Sequence, residues 1–178
     1  MSRARTYSSV EQLRDGSRVE IRSLRPDDRA GLLAAIGRTS PDSLFRRFFA
    51  VKRNFTVQEI DFFLNIDFIN QVALVAVAEE EDGRSEIVGG GRYVVLQPGR
   101  AELAFAVIDE YQGKGIGSVL MRHLTAIARG AGLKELVAEV LPNNAPMLKV
   151  FKNSGLPIDI QRQVGAVHVV LSLSQEHH

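Results

Sequence analysis

The spacing of apolar side chains changes several times along this chain, and each change marks an element. Residues 18–24 (RVEIRSL) alternate polar and apolar as a half-buried strand does. Arg25-Pro26-Asp27-Asp28 reads as a turn and helix start, with carboxylates at the positive end of the helix dipole. Residues 30–36 continue that helix. Ser40-Pro41-Asp42 opens a second, carrying Leu44, Phe45, Phe48 and Phe49, and Thr56 with Glu59 matches a capping box for a third over residues 56–64. Residues 72–78 and 86–96 read as strands joined by an acidic loop at 79–85. Gly89-Gly90-Gly91 interrupts the second of these, which predicts a bulge or a close backbone approach. After the Pro98-Gly99 turn, residues 101–108 (AELAFAVI) form a strand of small, β-branched and aromatic residues. Ile116, Val119, Leu120, Leu124, Ile127 and Ala128 then recur at helical spacing until Gly130 and Gly132 end the run. Residues 136–141 read as a strand, broken by Pro142-Asn143-Asn144. Residues 145–154 form a short helix stopped by Gly155, and 158–164 with 167–173 close as an antiparallel pair around Gly165.

This order predicts an α+β fold: a mixed, mostly antiparallel sheet of about seven strands flanked by helices around one core. Residues 1–17 are polar and expected to form a flexible N-terminal segment, residues 18–173 a single domain, and residues 174–178 a C-terminal tail.

At 178 residues, 45% apolar and 24% charged, the chain has the composition of an ordinary globular domain. A net charge of +1 exerts no global pull on nucleic acid or membrane. Arg46 and Arg47 lie among the phenylalanines of the second helix, but that mixture reads as a core with solvated arginines, not as a stacking platform. The absence of cysteine excludes disulfides, thiolate catalysis and Cys-based zinc sites. No apolar run approaches the ~20 residues of a membrane span, and no signal-peptide core opens the chain. A cytoplasmic location is therefore expected. Charge is unevenly spread: residues 59–110 hold 11 acidic against 3 basic side chains. That zone is either a solvated surface or an attraction for a cationic substrate.

The candidate chemistry sits between the 101–108 strand and the helix after it. Gln112-Gly113-Lys114-Gly115-Ile116-Gly117 packs three glycines into a helix start, where backbone N–H groups and the helix dipole converge on an anion. The P-loop pattern is absent. The dinucleotide pattern G-x-G-x-x-G fails because Ser118 occupies its third glycine position. Q-x-x-G-x-G fits fully. With Glu102 ten residues before Gln112, and Asn144, Phe151 and Gly155 after the next strand, the chain from about Arg18 to Leu173 resembles the GNAT N-acetyltransferase superfamily.

The resemblance implies the following. The amides of Gln112, Gly113, Lys114, Gly115, Ile116, Gly117 and Ser118 bind the pyrophosphate of acetyl-CoA, with Lys114 adding a charge-assisted contact. Ala106, Val107 and Ile108 pair through their backbones with the pantetheine arm, in a slot where the 101–108 and 136–141 strands splay apart. A backbone N–H near Ala106 or Val107 faces the thioester oxygen. Asn144 hydrogen-bonds the cofactor arm, caps a helix, or does both. Acetyl transfer needs a neutral amine, so a base must take its proton. Glu102 is the candidate, and burial among the apolar residues of its strand would strengthen it as a base. Its alternative reading is a strand-edge carboxylate in a salt bridge or in solvent. Phe151 stands where many relatives carry a tyrosine that protonates the leaving thiolate, so another acid or solvent must serve. Neither Tyr93 nor Tyr111 is placed at the sulfur by the sequence. His123 and His168 lack metal-ligand spacing and read as structural, and no metal is expected.

The segments SPDSLFRRFF and AEVLPNNAPMLKVFKNSG look most like bacterial protein-lysine acetyltransferases, which implies a protein lysine as acceptor. A small-molecule amine is the second reading, and a non-catalytic acyl-CoA sensor a third. No nucleic-acid or membrane partner is expected, and a homodimer is left open.

Overall fold

The computed structural model describes residues 7–37, 66–80, 82–142 and 144–173. In chain order its strands are β1 (Ser8–Gln12), β2 (Arg18–Ser23), β3 (Gln71–Glu79), β4 (Ser85–Gln97), β5 (Arg100–Val107), β6 (Glu135–Val140), β7 (Ile158–Gln163) and β8 (Ala166–Ser172). The helices are α1 (Arg29–Gly37), α2 (Ile116–Gly130) and α3 (Ala145–Lys152), with 3-10 turns at Pro26–Asp28 and Asp109–Tyr111. The helices predicted at 40–49 and 56–64, with Arg46, Arg47 and the Thr56–Glu59 capping box, lie outside the described residues.

The strands form one sheet in the order β1-β2-β3-β4-β5-β6-β8-β7. Every neighbouring pair is antiparallel except β5 and β6. Strand β3 is buried over most of its length, as a central strand covered on both faces must be. The stripe of Ile116, Val119, Leu120, Leu124 and Ala128 sinks α2 onto β3, β4 and β5. Side chains such as Ile21, Leu74, Leu120, Leu136 and Leu171 are fully buried, each stabilising the fold by roughly 1.5–3 kcal/mol relative to exposure. Between β2 and α1, Asp28 closes the connection. It takes a two-pronged ion pair from Arg22 at 2.8 and 2.9 Å and the Arg25 N–H at 2.7 Å.

The sheet has eight strands rather than about seven. The added strand, β1, lies in residues set apart above as an N-terminal segment. Its sequence, SSVEQ, has no apolar alternation to reveal it, and Val10 is exposed. It forms instead by backbone pairing with β2 and by side-chain ties to α2. Glu11 meets His123 Nε2 at 2.6 Å and Arg122 at 2.7 Å, and the Tyr7 hydroxyl bonds His123 Nδ1. Burial alone would raise the Glu11 carboxyl, but the hydrogen bonds from His123 and Arg122 outweigh it and hold the group below its ordinary range. His123 thus has the structural place expected for it. So does His168, which meets Glu139 across the β6–β8 pair at 2.5 Å.

A bulge adjoins the triple glycine, and side chains approach Gly91 closely. The β3–β4 register shifts between Ala76 and Val77, leaving Val88 as the bulged residue. Gly91 then lies beneath the Phe105 ring and Leu124 of α2.

Candidate active site

Strands β5 and β6 are in register only at Arg100–Glu135, Ala101–Leu136 and Glu102–Val137. Beyond that point β5 follows β4 as far as Val107, paired with Gly89, while β6 follows β8 as far as Val140, paired with Val167. The two strands therefore splay, and Glu102 stands at the vertex. The fork opens into a cleft of about 570 Å³. Phe105, Ala106 and Val107 line it from β5, Gln112 to Ser118 except Lys114 from the glycine turn, and Asn144, Met147, Lys149 and Val150 from α3 and its cap.

Backbone phase decides which groups face the fork. The Ile108 N–H donates to Val88 O at 2.9 Å. Peptide groups alternate sides along a strand, so Ala106 and Ile108 turn towards β4 while Phe105 and Val107 turn towards the opening. The Val107 carbonyl there accepts the Gln112 side-chain amide at 3.0 Å. Of the two residues named for the thioester oxygen, Val107 is thus the one whose N–H points into the fork. Ile108, expected to join the slot, does not line it. Its side chain is buried in the core as the chain turns into the Asp109–Tyr111 3-10 turn.

The glycine turn is shaped to receive an anion. Gly113 and Gly115 have φ of 82° and 94°, in the left-handed region. Gly115 is the N-cap of α2 and offers no side-chain cap, so the first N–H groups of the helix keep no partner within it. Gly117 lets α3 approach: a Cβ there would lie 3.4 Å from Val150.

The remaining predicted residues are placed as follows. Asn144 is buried on the cleft wall, and its Oδ1 accepts the Met147 N–H at 3.3 Å, so it caps α3. Lys114 does not reach the cleft. Its ammonium pairs with Asp15 at 2.9 Å and lies over the Tyr111 ring. Glu102 is exposed, so the burial argued for it from its apolar strand does not hold; strand alternation turns it to the face away from Leu103 and Phe105. Arg92 is one pair along β4 on that face. Burial pulls its guanidinium below the usual arginine range, and the Glu102 carboxylate acts against that shift. Phe151 is a core residue packed on Phe105, with ring centroids 6.0 Å apart. Tyr93 is buried, and burial pushes its hydroxyl up to about 12. Tyr111 lines the cleft, and its hydroxyl donates to Glu80 at 3.0 Å.

Sequence reasoning missed Arg14, which also lines the cleft. Its signal was hidden in a polar segment with no periodicity. The partner that fixes its turn is Lys114, remote in sequence.

The sequence matches the Acetyltransferase (GNAT) family over residues 42–156. The chain belongs to that family. It is 38% identical to an acetyltransferase of Pseudomonas aeruginosa over 128 residues, covering 71% of this chain and 68% of that protein. It is 29% identical to Acetyltransferase Pat of Mycolicibacterium smegmatis over 160 residues, covering 88% of this chain but only 46% of that longer protein. The GNAT domain of S. lividans PAT superimposes with a TM-score of 0.83 at 31% identity, covering 93% of this chain and 96% of that one. The same fold occurs in yncA of Salmonella typhimurium, solved with its cofactor acetyl-CoA, with a TM-score of 0.70 at 19% identity over 90% and 96% of the two chains. This GNAT protein is accordingly an acyltransferase, and acetyl-CoA is the donor GNAT acetyltransferases use. The residues present fit that donor: an uncapped helix start for its pyrophosphate and an open strand edge for its amide-bearing arm. Among the described residues no helix is long and apolar enough to cross a membrane.

Proposed function

We propose that this GNAT protein transfers the acetyl group of acetyl-CoA to a protein lysine by direct attack, with Glu102 as general base. The observation that carries this reading is the position of Glu102 at the vertex of the β5–β6 fork, on the strand whose Phe105, Ala106 and Val107 line the cleft, although Glu102 itself does not line it. The lysine nitrogen attacks the thioester carbon, a C–N bond forms, and the C–S bond breaks. Glu102 takes the amine proton through a relay of water, since five residue steps of β5, roughly 16 Å, separate it from Val107. The Val107 N–H faces the oxyanion of the tetrahedral intermediate. Phe151 has no proton to give and Tyr111 is engaged with Glu80, so the thiolate leaves as an anion and is protonated by solvent. The amides of Gln112, Gly113, Gly115, Ile116, Gly117 and Ser118 hold the pyrophosphate, and Asn144 orients α3 against the arm. A lysine acceptor is supported by the segments likened above to protein-lysine acetyltransferases, and the likeness to the GNAT domain of S. lividans PAT, over 93% of this chain and 96% of that one, agrees with it.

The test is CoA release against a panel of lysine peptides and small amines. Wild type is expected to turn over peptides best. Glu102→Gln is expected to lower kcat by about 10²–10⁴-fold while leaving acetyl-CoA binding intact. Unchanged kcat at saturating amine would remove Glu102 as the base, and preference for small amines would remove the lysine acceptor.

A further inference from the structure

The β1–β2 turn reaches the cleft from outside both the fork and the glycine turn, and it is held on two sides. Leu13 is buried, its N–H donates to Ser17 O at 2.7 Å, and its carbonyl accepts the Gly16 N–H at 3.0 Å. Asp15 accepts the Ser17 N–H at 2.9 Å through Oδ1 and pairs with Lys114 at 2.9 Å through Oδ2. Glu11, two residues before Leu13, is tied to Arg122 and His123 of α2. Arg14 stands between these fixed neighbours and projects to the glycine turn. Its Nε lies 3.7 Å from the point a Cβ on Gly115 would occupy. No hydrogen bond or ion pair engages its guanidinium among the described residues.

The charges at the turn then sum in one direction. Lys114 follows Gly113 directly, yet its charge is balanced by Asp15. Arg14, beside Gly115, has no ion-pair partner among the described residues, and Lys149 of α3 is a second cation on the cleft wall. A guanidinium presents a rigid fork of donors matched to phosphate oxygens, and here it would add to the backbone N–H groups at the start of α2.

We propose that Arg14 is a donor-binding residue of this enzyme, contacting the phosphates of acetyl-CoA at the glycine turn, and that the Asp15–Lys114 pair is the strut that places it there. This rests on acetyl-CoA being the donor. It reverses the assignment made from the sequence: the lysine inside the motif positions, and an arginine about a hundred residues earlier binds.

The test compares two acyl donors on wild type, Arg14→Ala and Arg14→Lys. Acetyl-CoA carries phosphates, whereas S-acetyl-pantetheine carries the same thioester arm without them. Arg14→Ala is expected to raise the Kd for acetyl-CoA on the order of tenfold, the scale of one charge-assisted hydrogen bond. It should also flatten the dependence of that Kd on salt and leave kcat/KM for S-acetyl-pantetheine unchanged. Arg14→Lys is expected to restore part of the binding. An Arg14→Ala protein that binds acetyl-CoA like wild type overturns the inference, as does an equal loss with both donors, which marks a structural role. Failure of the wild type to bind acetyl-CoA removes the donor reading itself, and the inference with it.

Discussion

Gly91 offers a direct test of how the sheet is fitted to the helix and to the cleft at once. A Cβ at this position would stand 2.6 and 2.9 Å from two carbons of the Phe105 ring and 3.0 Å from Leu124 Cδ1. Carbon atoms in contact sit about 3.5–4.0 Å apart, so in Gly91→Ala the ring would have to withdraw by about 1 Å. Its neighbours on the core side are closely packed. Phe105 is 3% exposed, Leu124 is 0% exposed, and the ring backs onto Phe151, itself 1% exposed. Overpacking of this kind costs about 1–3 kcal/mol, which for a chain of this size lowers Tm by roughly 2–12 °C. Phe105 also lines the cleft, so KM for acetyl-CoA should rise in the same variant. Urea and thermal unfolding measure the first effect and initial rates the second. Gly130→Ala is the control: it is the last residue of α2, and a Cβ there meets nothing within 4 Å. Its expected effect is neutral to about 1 kcal/mol stabilising. A Gly91→Ala protein within about 0.5 kcal/mol of wild type would refute the packing argument.

Two further predictions concern backbone and charge. Gly115→Ala forces a side chain onto a φ of 94°, at a cost of about 1–2 kcal/mol; the loop is expected to shift and the acetyl-CoA KM to rise, and unaltered donor kinetics would contradict the proposed cradle. Asp28→Asn leaves Arg22 without its charge partner in a pair whose side chains are 11% and 10% exposed, so unfolding free energy should fall by about 3–5 kcal/mol. Burial alone would raise the Asp28 carboxyl, but Arg22 and the Arg25 N–H outweigh it and set it below 3.8 in the folded state. Its stabilisation is therefore complete above that pH and lost as pH falls through the lower folded value. The gap between wild type and Asp28→Asn should be constant near neutrality and close in acid, and a gap that widens below pH ~4 would contradict the sign.

What the sequence made legible was local. The stripe on α2, the glycines at positive φ and the Asn144 break are each decided within a few residues, so their elements lie close to where they were expected. Gly89-Gly90-Gly91 was legible as an anomaly because a strand has few other uses for three glycines. What stayed hidden depends on pairings between remote residues. The strand SSVEQ has no pattern of its own and exists through β2 and through His123, 112 positions beyond Glu11. Lys114 looked like a phosphate ligand because Asp15, 99 positions away, was invisible beside it. Glu102 looked buried because its neighbours are apolar, yet alternation turns it to the other face of the sheet. Ile108 continues the strand in pattern, while the chain has already turned it into the core.

On the proposed reading, the fork lets one strand serve both anchoring and chemistry. Backbone N–H and C=O groups must be paired wherever water is excluded. Strand β5 keeps its full ladder with β4, and β6 keeps its ladder with β8, so splaying forfeits only the ladder the two would have shared. The groups thereby released are those of Phe105 and Val107 on one side, by the alternation that places Ile108 on Val88, and of Glu139 on the other, by the alternation that turns the Glu135 N–H to Gly99 O. They form a short strand edge without a strand. Gln112, the first residue of the motif, reaches back to one of them, the Val107 carbonyl, and so ties the edge to the turn that ends at Gly115. A donor with amides in its arm and a pyrophosphate at its far end matches the edge and the turn together.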